Sequence, residues 1–207
     1  LSRQGLGSIA TLVLNVAAGA YGDAAIAGMS IVTRISFFTY AVVIGLGQGF
    51  QPLCGFCYGA KLYGRVKEAY FFCIKCGTVF LGVCALLGFI FSTSIISIFR
   101  DDAAVVAVGS VALRWQVLSF PLVASIVLTN MLMQTIRKPV RANIVAAARS
   151  GLFFIPLIFI LPYFFGLLGV EMCQMWADCC SFAVAVPIAW SAFRDMRREQ
   201  MELGKSH

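Results

Sequence analysis

The stretch that decides the fold runs from Ile35 to Ala60 and reads ISFFTYAVVIGLGQGFQPLCGFCYGA. It contains no charged residue. It is also longer than the roughly 20 residues that a helix needs to cross a hydrocarbon layer of about 30 Å. We therefore predict that this stretch forms a membrane-spanning helix.

The composition of the whole chain favours a membrane protein. Of its 207 residues, 60% are hydrophobic and 12% are charged, and the mean hydropathy is +0.90. Soluble domains carry about 25% charged residues, so an ordinary soluble domain is excluded. We predict an all-α membrane protein whose residues 1–193 form a lobe of six transmembrane helices, followed by a cytoplasmic tail at 194–207. The predicted spans are 4–22, 28–60, 67–99, 104–136, 142–168 and 171–193.

The loops between the predicted spans alternate in charge, as the positive-inside rule expects. The basic loops hold Arg3, Lys61, Arg65, Lys67, Arg137, Lys138, Arg141, Arg194, Arg197, Arg198 and Lys205. The opposite loops hold Asp23, Asp101, Asp102 and Glu171, with Arg100 as their one basic residue. We therefore expect a multi-pass protein of the plasma (inner) membrane with both termini in the cytoplasm. The net charge of +7 then reflects topology, and no nucleic-acid partner is expected.

Five charged residues fall within or at the edges of the predicted spans, namely Arg34, Lys75, Arg114, Arg149 and Asp178. Charges inside a membrane are costly and usually face a cavity, a partner or the interface. We expect Lys75 and Arg149 to extend to the headgroup region. Arg34, Arg114 and Asp178 belong to the outer parts of their spans. There Asp178 could pair with one of these arginines, line a functional cavity, lie at the interface, or bind a proton or cation during transport.

The sequence lacks the residues of an enzyme or a metal site. The only histidine is His207, and no phosphate loop or dinucleotide fingerprint is present. Two Cys-x-x-Cys pairs, at residues 54–57 and 73–76, have the spacing of a zinc ribbon. They flank a basic loop at the ends of apolar helices, where cysteine behaves as a small apolar residue. We predict no catalytic residue, no metal site and no cofactor.

The segment from Gly45 to Lys61, GLGQGFQPLCGFCYGAK, resembles the end of the eighth helix and the next cytoplasmic loop of multidrug and toxic compound extrusion (MATE) transporters. The family pattern is approximately G-x-G-Q-x-x-Q-P-x-x-G-x-N-Y-G-A, and Cys57 replaces its Asn. The matching residues are Gln48, Gln51, Pro52, Gly55, Tyr58, Gly59 and Ala60. Further similarity covers nearly the whole chain, although Arg137 replaces a common Gly. It aligns with the second half of the family only.

The resemblance implies a twelve-helix antiporter whose two six-helix lobes surround a V-shaped cavity. Such transporters export cationic, amphipathic compounds in exchange for inward H⁺ or Na⁺. This chain begins at Leu1 rather than at Met, and we expect it to be the carboxy-terminal lobe. Its expected partners are cationic amphipathic drugs or toxins, the lipid bilayer, and the amino-terminal six-helix lobe of the same protein.

Two other functions remain open. A lipid-linked oligosaccharide flippase of the related superfamily would point Arg34 and Arg114 into the cavity, where guanidinium groups can hold pyrophosphate. A non-transporting membrane scaffold would have a filled interior and would act independently of ions.

For a transporter, the predicted substrate-cavity groups are Asn15, Arg34, Gln48, Arg114 and Gln134, and Asp178 is the predicted ion-coupling residue. Interhelical hydrogen bonds are the alternative role for the three amides. Family members that bind Na⁺ in this lobe have acids within its helices, and the first and fourth spans here have none. Coupling would then rest on Asp178 or on the amino-terminal lobe. We assign a structural role at the cytoplasmic end of the second span to Gln51, Pro52, Gly55, Tyr58 and Gly59.

Overall fold

The structure is a computed structural model that describes residues 2–205, apart from the side chains of residues 2–4, 6, 150 and 203–205. The first four helices are α1 (Ser2–Gly19), α2 (Asp23–Gly59), α3 (Tyr63–Ile90) and α4 (Ser92–Phe99). They are followed by α5 (Ala103–Thr135), α6 (Pro139–Ala147), a π-helical turn (Ala148–Leu152), α7 (Phe154–Phe165) and α8 (Leu167–Lys205). The side chains of Arg3 and Lys205, and the end of the predicted tail with His207, lie outside the described residues.

Four helices, α2, α3, α5 and α8, are individually long and apolar enough to cross a membrane. The helix α1 is shorter and apolar. The region of the predicted third span is divided, because α3 ends at Ile90 and α4 begins at Ser92. The region of the predicted fifth span is divided into α6, the π-helical turn and α7. Every regular element of the described residues is helical, so the all-α membrane fold is confirmed.

The helix α5 is the centre of the lobe. It packs against α2, α3, α4, α6 and α8. Its side chains Leu113, Phe120 and Leu132 are almost completely inaccessible. Lipid tails are as apolar as these side chains, so association of the helices depends on close van der Waals contact and on interhelical hydrogen bonds.

Glycines bring α2 and α5 into such close contact at two levels. A Cβ added at Gly28 would lie 3.1 Å from the backbone nitrogen of Gly109. Farther along both helices, Gly47 lies against the side chain of Met131. The order of these contacts shows that α2 and α5 run in the same direction. Their basic ends therefore lie on the same side of the lobe.

The turns that follow α2 and α5 share one backbone geometry. Lys61 and Arg137 both adopt left-handed conformations, with φ of 59° and 56°. After α5 the Lys138 amide donates to the Met133 carbonyl at 2.9 Å. After α2 the Leu62 amide donates to the Cys57 carbonyl at 2.8 Å. This arrangement is the Schellman motif, in which glycine is usual at the left-handed position. It explains why related sequences commonly have Gly where this chain has Arg137.

The surface of the lobe is rich in exposed apolar side chains. The most exposed include Phe38, Phe56, Ile98, Tyr163 and Trp190, each more than two-thirds accessible. Exposed apolar surface on this scale marks an interaction surface in a soluble protein. On a lobe of membrane-spanning helices it is the surface expected to face lipid or another helical lobe.

Replacement of Gly28 by leucine should lower the melting temperature of the full-length protein. The α5 backbone occupies the space beside Gly28, and overpacking of this kind costs about 1–3 kcal/mol. Gly82→Leu is the matched control, because an added Cβ at Gly82 has no neighbour within 4 Å. Thermal denaturation of the purified protein in detergent gives the comparison. Equal melting temperatures for the two variants would contradict the close contact between α2 and α5.

Candidate functional site

A buried polar cluster is centred on Asp178, in the first half of α8. Its side chain is inaccessible, and its Oδ1 accepts hydrogen bonds from Arg149 Nε at 2.9 Å and Gln174 Nε2 at 3.2 Å. Its Oδ2 accepts from Ser119 Oγ at 2.9 Å and from Gln116 Nε2 at 3.4 Å. Both carboxylate oxygens therefore have donors, which is the condition for keeping a charge in an apolar interior.

Tyr40 of α2 contacts the same cluster. The guanidinium carbon of Arg149 lies 4.7 Å from the centre of the Tyr40 ring, which is a cation–π distance. The Tyr40 hydroxyl accepts a hydrogen bond from Gln116 Nε2 at 2.9 Å. On its other side the ring packs edge-on against Phe120, with 5.2 Å between the ring centres. The cluster therefore joins α2, α5, the π-helical turn and α8.

The π-helical turn carries Arg149 into this cluster. Within the turn the Phe153 amide donates to the Ala148 carbonyl at 3.2 Å, a bond across five residues that widens the helix. Pro156 has no amide hydrogen to offer the carbonyl four residues earlier, which favours the interruption. The prediction that Arg149 extends to the headgroup region is therefore wrong, because its Nε is bound to Asp178.

A cavity of about 210 Å³ adjoins the cluster. The cavity is half open to the surface, and most of its wall is apolar. Its polar lining comes from Thr11, Thr33, Tyr40, Gln116, Arg149 and Gln174. Ser36 also lines the cavity, and its buried hydroxyl has no hydrogen-bond partner among the described residues. A water occupies about 30 Å³ in the liquid, so the cavity has room for several waters or a small hydrated ion.

The charged group that faces this cavity is a guanidinium. The Arg149 side chain is 23% exposed, whereas Asp178 is 0% exposed. An organic cation in the cavity would therefore meet a like charge before it met the carboxylate, and like charges repel strongly at low dielectric. Within the described residues no group of three or more His, Cys, Asp or Glu side chains is placed to hold a metal ion. The site is therefore unfavourable for direct binding of a large cation.

Three predicted cavity residues lie on the surface rather than at the cluster. Asn15 is exposed on α1, where it borders an open groove. Arg34 and Gln48 are exposed on α2. Their role in a cavity shared with a second lobe stays a prediction.

The other two predicted cavity residues make contacts within the lobe. Arg114 Nε donates to Ser92 Oγ at 2.9 Å, and the guanidinium lies 5.9 Å from the centre of the Phe89 ring. Gln134 Nε2 donates to Asn130 Oδ1 at 2.6 Å. The Asn130 amide in turn donates to a carbonyl of α6 at 2.6 Å. The expected pairing of Asp178 with Arg34 or Arg114 is wrong, since Arg149 is its partner.

The residues of the predicted structural motif occupy the last turns of α2 and lead into the Schellman turn. They are Gln51, Pro52, Gly55, Tyr58 and Gly59. The Tyr58 ring packs against the Tyr63 ring at the start of α3, with 5.5 Å between the ring centres. An added Cβ at Gly55 would meet Thr135 of α5 at 3.5 Å. Their structural role stays a prediction.

Sequence reasoning missed most of the polar cluster, although a signal was present. Gln116 and Ser119 are three residues apart on α5, and Gln174 and Asp178 are four apart on α8. Residues at these spacings share one helix face. Glu171 lies on the same face of α8 as Asp178 and is only 4% exposed. Its predicted place in an outer loop is therefore wrong.

The fold and the cluster define a multi-pass membrane protein built as one helical lobe around a buried ion pair. The MatE family model matches residues 4–160, and the chain belongs to this family. It is 31% identical to the multidrug export protein MepA of Staphylococcus aureus (strain N315) and 28% identical to MepA of Staphylococcus saprophyticus, in each case over 180 residues. Each match covers 86% of this chain and 39% of the relative, so the chain spans about two fifths of their length.

Solved structures of transporters have the same fold. The Vibrio cholerae MATE transporter VcmN in its bent form superposes with a TM-score of 0.88 at 18% identity, over 94% of this chain and 44% of that chain. A MOP superfamily transporter from Pyrococcus furiosus also superposes with a TM-score of 0.88, at 17% identity and the same coverage. Each likeness covers less than half of the larger protein.

Removal of one charge of the buried pair should destabilise the full-length protein more than removal of both. Arg149→Gln leaves Asp178 as an uncompensated charge, which costs about 3–5 kcal/mol. The double variant Arg149→Gln, Asp178→Asn has no such charge and should recover most of this loss. Thermal denaturation in detergent measures each variant. Lys138→Gln is the control, because its pair with Asp195 is partly exposed and such pairs contribute at most about 1 kcal/mol. If the double variant lost as much stability as Arg149→Gln and Asp178→Asn lose together, the pairing of the two residues would be contradicted.

Proposed function

We propose that this chain is the carboxy-terminal lobe of a secondary active exporter, which moves cationic, amphipathic compounds out of the cell in exchange for H⁺ or Na⁺. The observation that carries the proposal is Asp178, a fully buried carboxylate bound to Arg149 beside a half-open cavity. Membership of the MatE family and the 31% identity to a multidrug export protein support it. We place the exporter in the plasma membrane with the basic ends of α2, α5 and α8 in the cytoplasm, following the positive-inside rule.

In this proposal Asp178 is the group whose charge changes during the cycle. The charged carboxylate holds the Arg149 guanidinium at 2.9 Å. A proton bound to a carboxylate oxygen, or a Na⁺ ion beside it, cancels that charge and weakens the attraction. The π-helical turn that carries Arg149 is then free to move relative to α8. Coupling requires that the ion stabilise the arrangement in which the π-helical turn is released from α8 more than the arrangement in which Arg149 is bound to Asp178.

The drug and the coupling ion would bind at different places. Arg149 lines the half-open cavity and repels organic cations, so the drug would bind outside the cluster. The outward face of α2 offers a suitable wall, since Phe38 and Phe56 are exposed there together with Gln48. Apolar and aromatic surface with few polar groups suits promiscuous binding of amphipathic compounds.

The alternative functions receive less support. A flippase needs free cavity arginines. Arg34 is exposed on α2, but Arg114 is bound to Ser92 and lies over Phe89. The Pyrococcus furiosus transporter is described as having a binding pocket of reverse polarity that suggests a different function, and at 17% identity it shares only the fold with this chain. A scaffold would have a filled interior, whereas this lobe contains a half-open cavity of about 210 Å³. The relatives that the chain matches are transporters, and we assign it no catalytic residue.

The full-length parent protein, expressed in drug-sensitive cells, should extrude a fluorescent organic cation only while an ion gradient is present. Separate collapse of the H⁺ and Na⁺ gradients identifies the coupling ion. The double variant Arg149→Gln, Asp178→Asn should reach the membrane in normal amounts but lose the gradient-dependent efflux. Asp101→Asn is the matched control, since it removes an exposed carboxylate outside the cluster and outside the contacts of α8.

Two outcomes of this assay would overturn parts of the proposal. Normal gradient-dependent efflux by the double variant, at equal amounts of protein, would remove Asp178 from the coupling mechanism. Absence of efflux of several such cations by the wild-type protein in the membrane would favour the flippase and its anionic substrate.

A further inference from the structure

The seven exposed residues of α8 between Ala183 and Arg198 form one stripe along the helix. They are Ala183, Val186, Pro187, Trp190, Arg194, Arg197 and Arg198. Successive residues of the stripe are three or four apart, except for the neighbours Val186 and Pro187 and the neighbours Arg197 and Arg198. This spacing keeps them on a single face of the helix. The stripe begins apolar, passes through one aromatic residue and ends in three arginines. This order matches the order of hydrocarbon, interface and headgroups in one leaflet of a membrane.

Trp190 marks the interface in this stripe. Its side chain is 70% exposed, and exposed tryptophans of membrane proteins concentrate at the level of the headgroups. A helix rises about 1.5 Å per residue, so Arg194 and Arg198 follow about 6 Å and about 12 Å beyond Trp190. Long arginine side chains reach back toward the interface, which brings all three guanidinium groups to headgroup phosphates.

Two acidic residues of the same segment, Asp195 and Glu199, lie away from the stripe and are bound to the lobe. Glu202 is exposed one turn beyond Arg198. Asp195 Oδ2 accepts hydrogen bonds from Lys138 Nζ at 2.6 Å and from Arg141 at 3.3 Å. Glu199 Oε2 accepts one from the Tyr63 hydroxyl at 2.8 Å. The end of α8 is therefore attached to the starts of α3 and α6. The charges of Asp195 and Glu199 are used in that attachment.

The three arginines have no such counterpart. In the part of the chain that the structure describes, none of them forms an ion pair with a carboxylate. Their charges therefore remain exposed on the face that continues the apolar stripe. Guanidinium groups bind phosphate oxygens in bidentate fashion, and a helix fixed at its other face holds them in one orientation.

We propose that Arg194, Arg197 and Arg198, with Trp190 at the edge, form a binding site for the headgroups of anionic phospholipids. The site is distinct from the cluster around Asp178 and does not rest on the proposed transport activity. It attaches the outer face of α8 to the membrane surface, while Asp195 and Glu199 attach the inner face to the lobe. The lipid phosphate supplies negative charge beside the three guanidinium groups.

Binding can be measured on the purified full-length protein in neutral detergent by native mass spectrometry, with phosphatidylglycerol as the probe and phosphatidylcholine as the neutral lipid. The triple variant Arg194→Gln, Arg197→Gln, Arg198→Gln should bind phosphatidylglycerol roughly 100-fold more weakly. The expectation follows because each basic residue near an anionic surface contributes about fivefold. Since the three side chains are exposed, the variant should melt at the wild-type temperature in detergent without lipid.

A matched control removes the same number of charges at the same end of the lobe. The variant Lys61→Gln, Arg65→Gln, Lys67→Gln changes three exposed residues of the connection between α2 and α3 and should retain the affinity. Equal losses in both triple variants, or equal binding of the two lipids by the wild type, would overturn the site. Competition by millimolar inorganic phosphate that displaces the lipid completely would overturn the assignment to a lipid headgroup.

Discussion

An unpaired charge in the hydrocarbon layer is costly, and contact between Arg149 and Asp178 relieves this cost for two charges at once. Several parts of the lobe are arranged around that contact. The fifth crossing contains the π-helical turn that carries Arg149, and α5 supplies Ser119 to the second carboxylate oxygen. Tyr40 of α2 lies against the guanidinium. Four elements are therefore oriented by one pair of charges, and none of them can shift far without leaving a charge or a donor unsatisfied.

The packing of α2 on α5 complements this polar constraint. Lipid competes with apolar side chains for contact, so apolar burial alone specifies helix positions weakly in a membrane. Gly28 and Gly47 bring the two backbones close on either side of Tyr40. Their close contacts fix the separation of the helices at the level where Gln116 of α5 reaches the Tyr40 hydroxyl at 2.9 Å. The small residues therefore set the distance between α2 and α5, and the hydrogen bonds set the position of one helix along the other.

The features that the sequence predicted are those set by residues adjacent in the chain. Apolar stretches define helices, and loop charges define the two ends, whatever the tertiary packing. The partner of Asp178 could not be predicted in this way, because a π-helical turn inserts an extra residue and changes the direction in which Arg149 points. The depth of Glu171 was missed for a related reason. Gly166, at φ 60°, forms so tight a connection that α8 already begins at Leu167.

The helix α8 is joined twice to the crossing that contains α6. Asp195 binds Lys138 and Arg141 at one end of that crossing, and Asp178 binds Arg149 near its middle. The two acids are about 25 Å apart along α8 at a rise of about 1.5 Å per residue. Neutralisation of Asp178 releases only the second contact, so α6 would pivot about the first. Pro187 lies between the two acids and removes one backbone hydrogen bond, which gives α8 a place to bend as this occurs. The end of α8 attached through Asp195 would then stay fixed while the end that carries Asp178 moves.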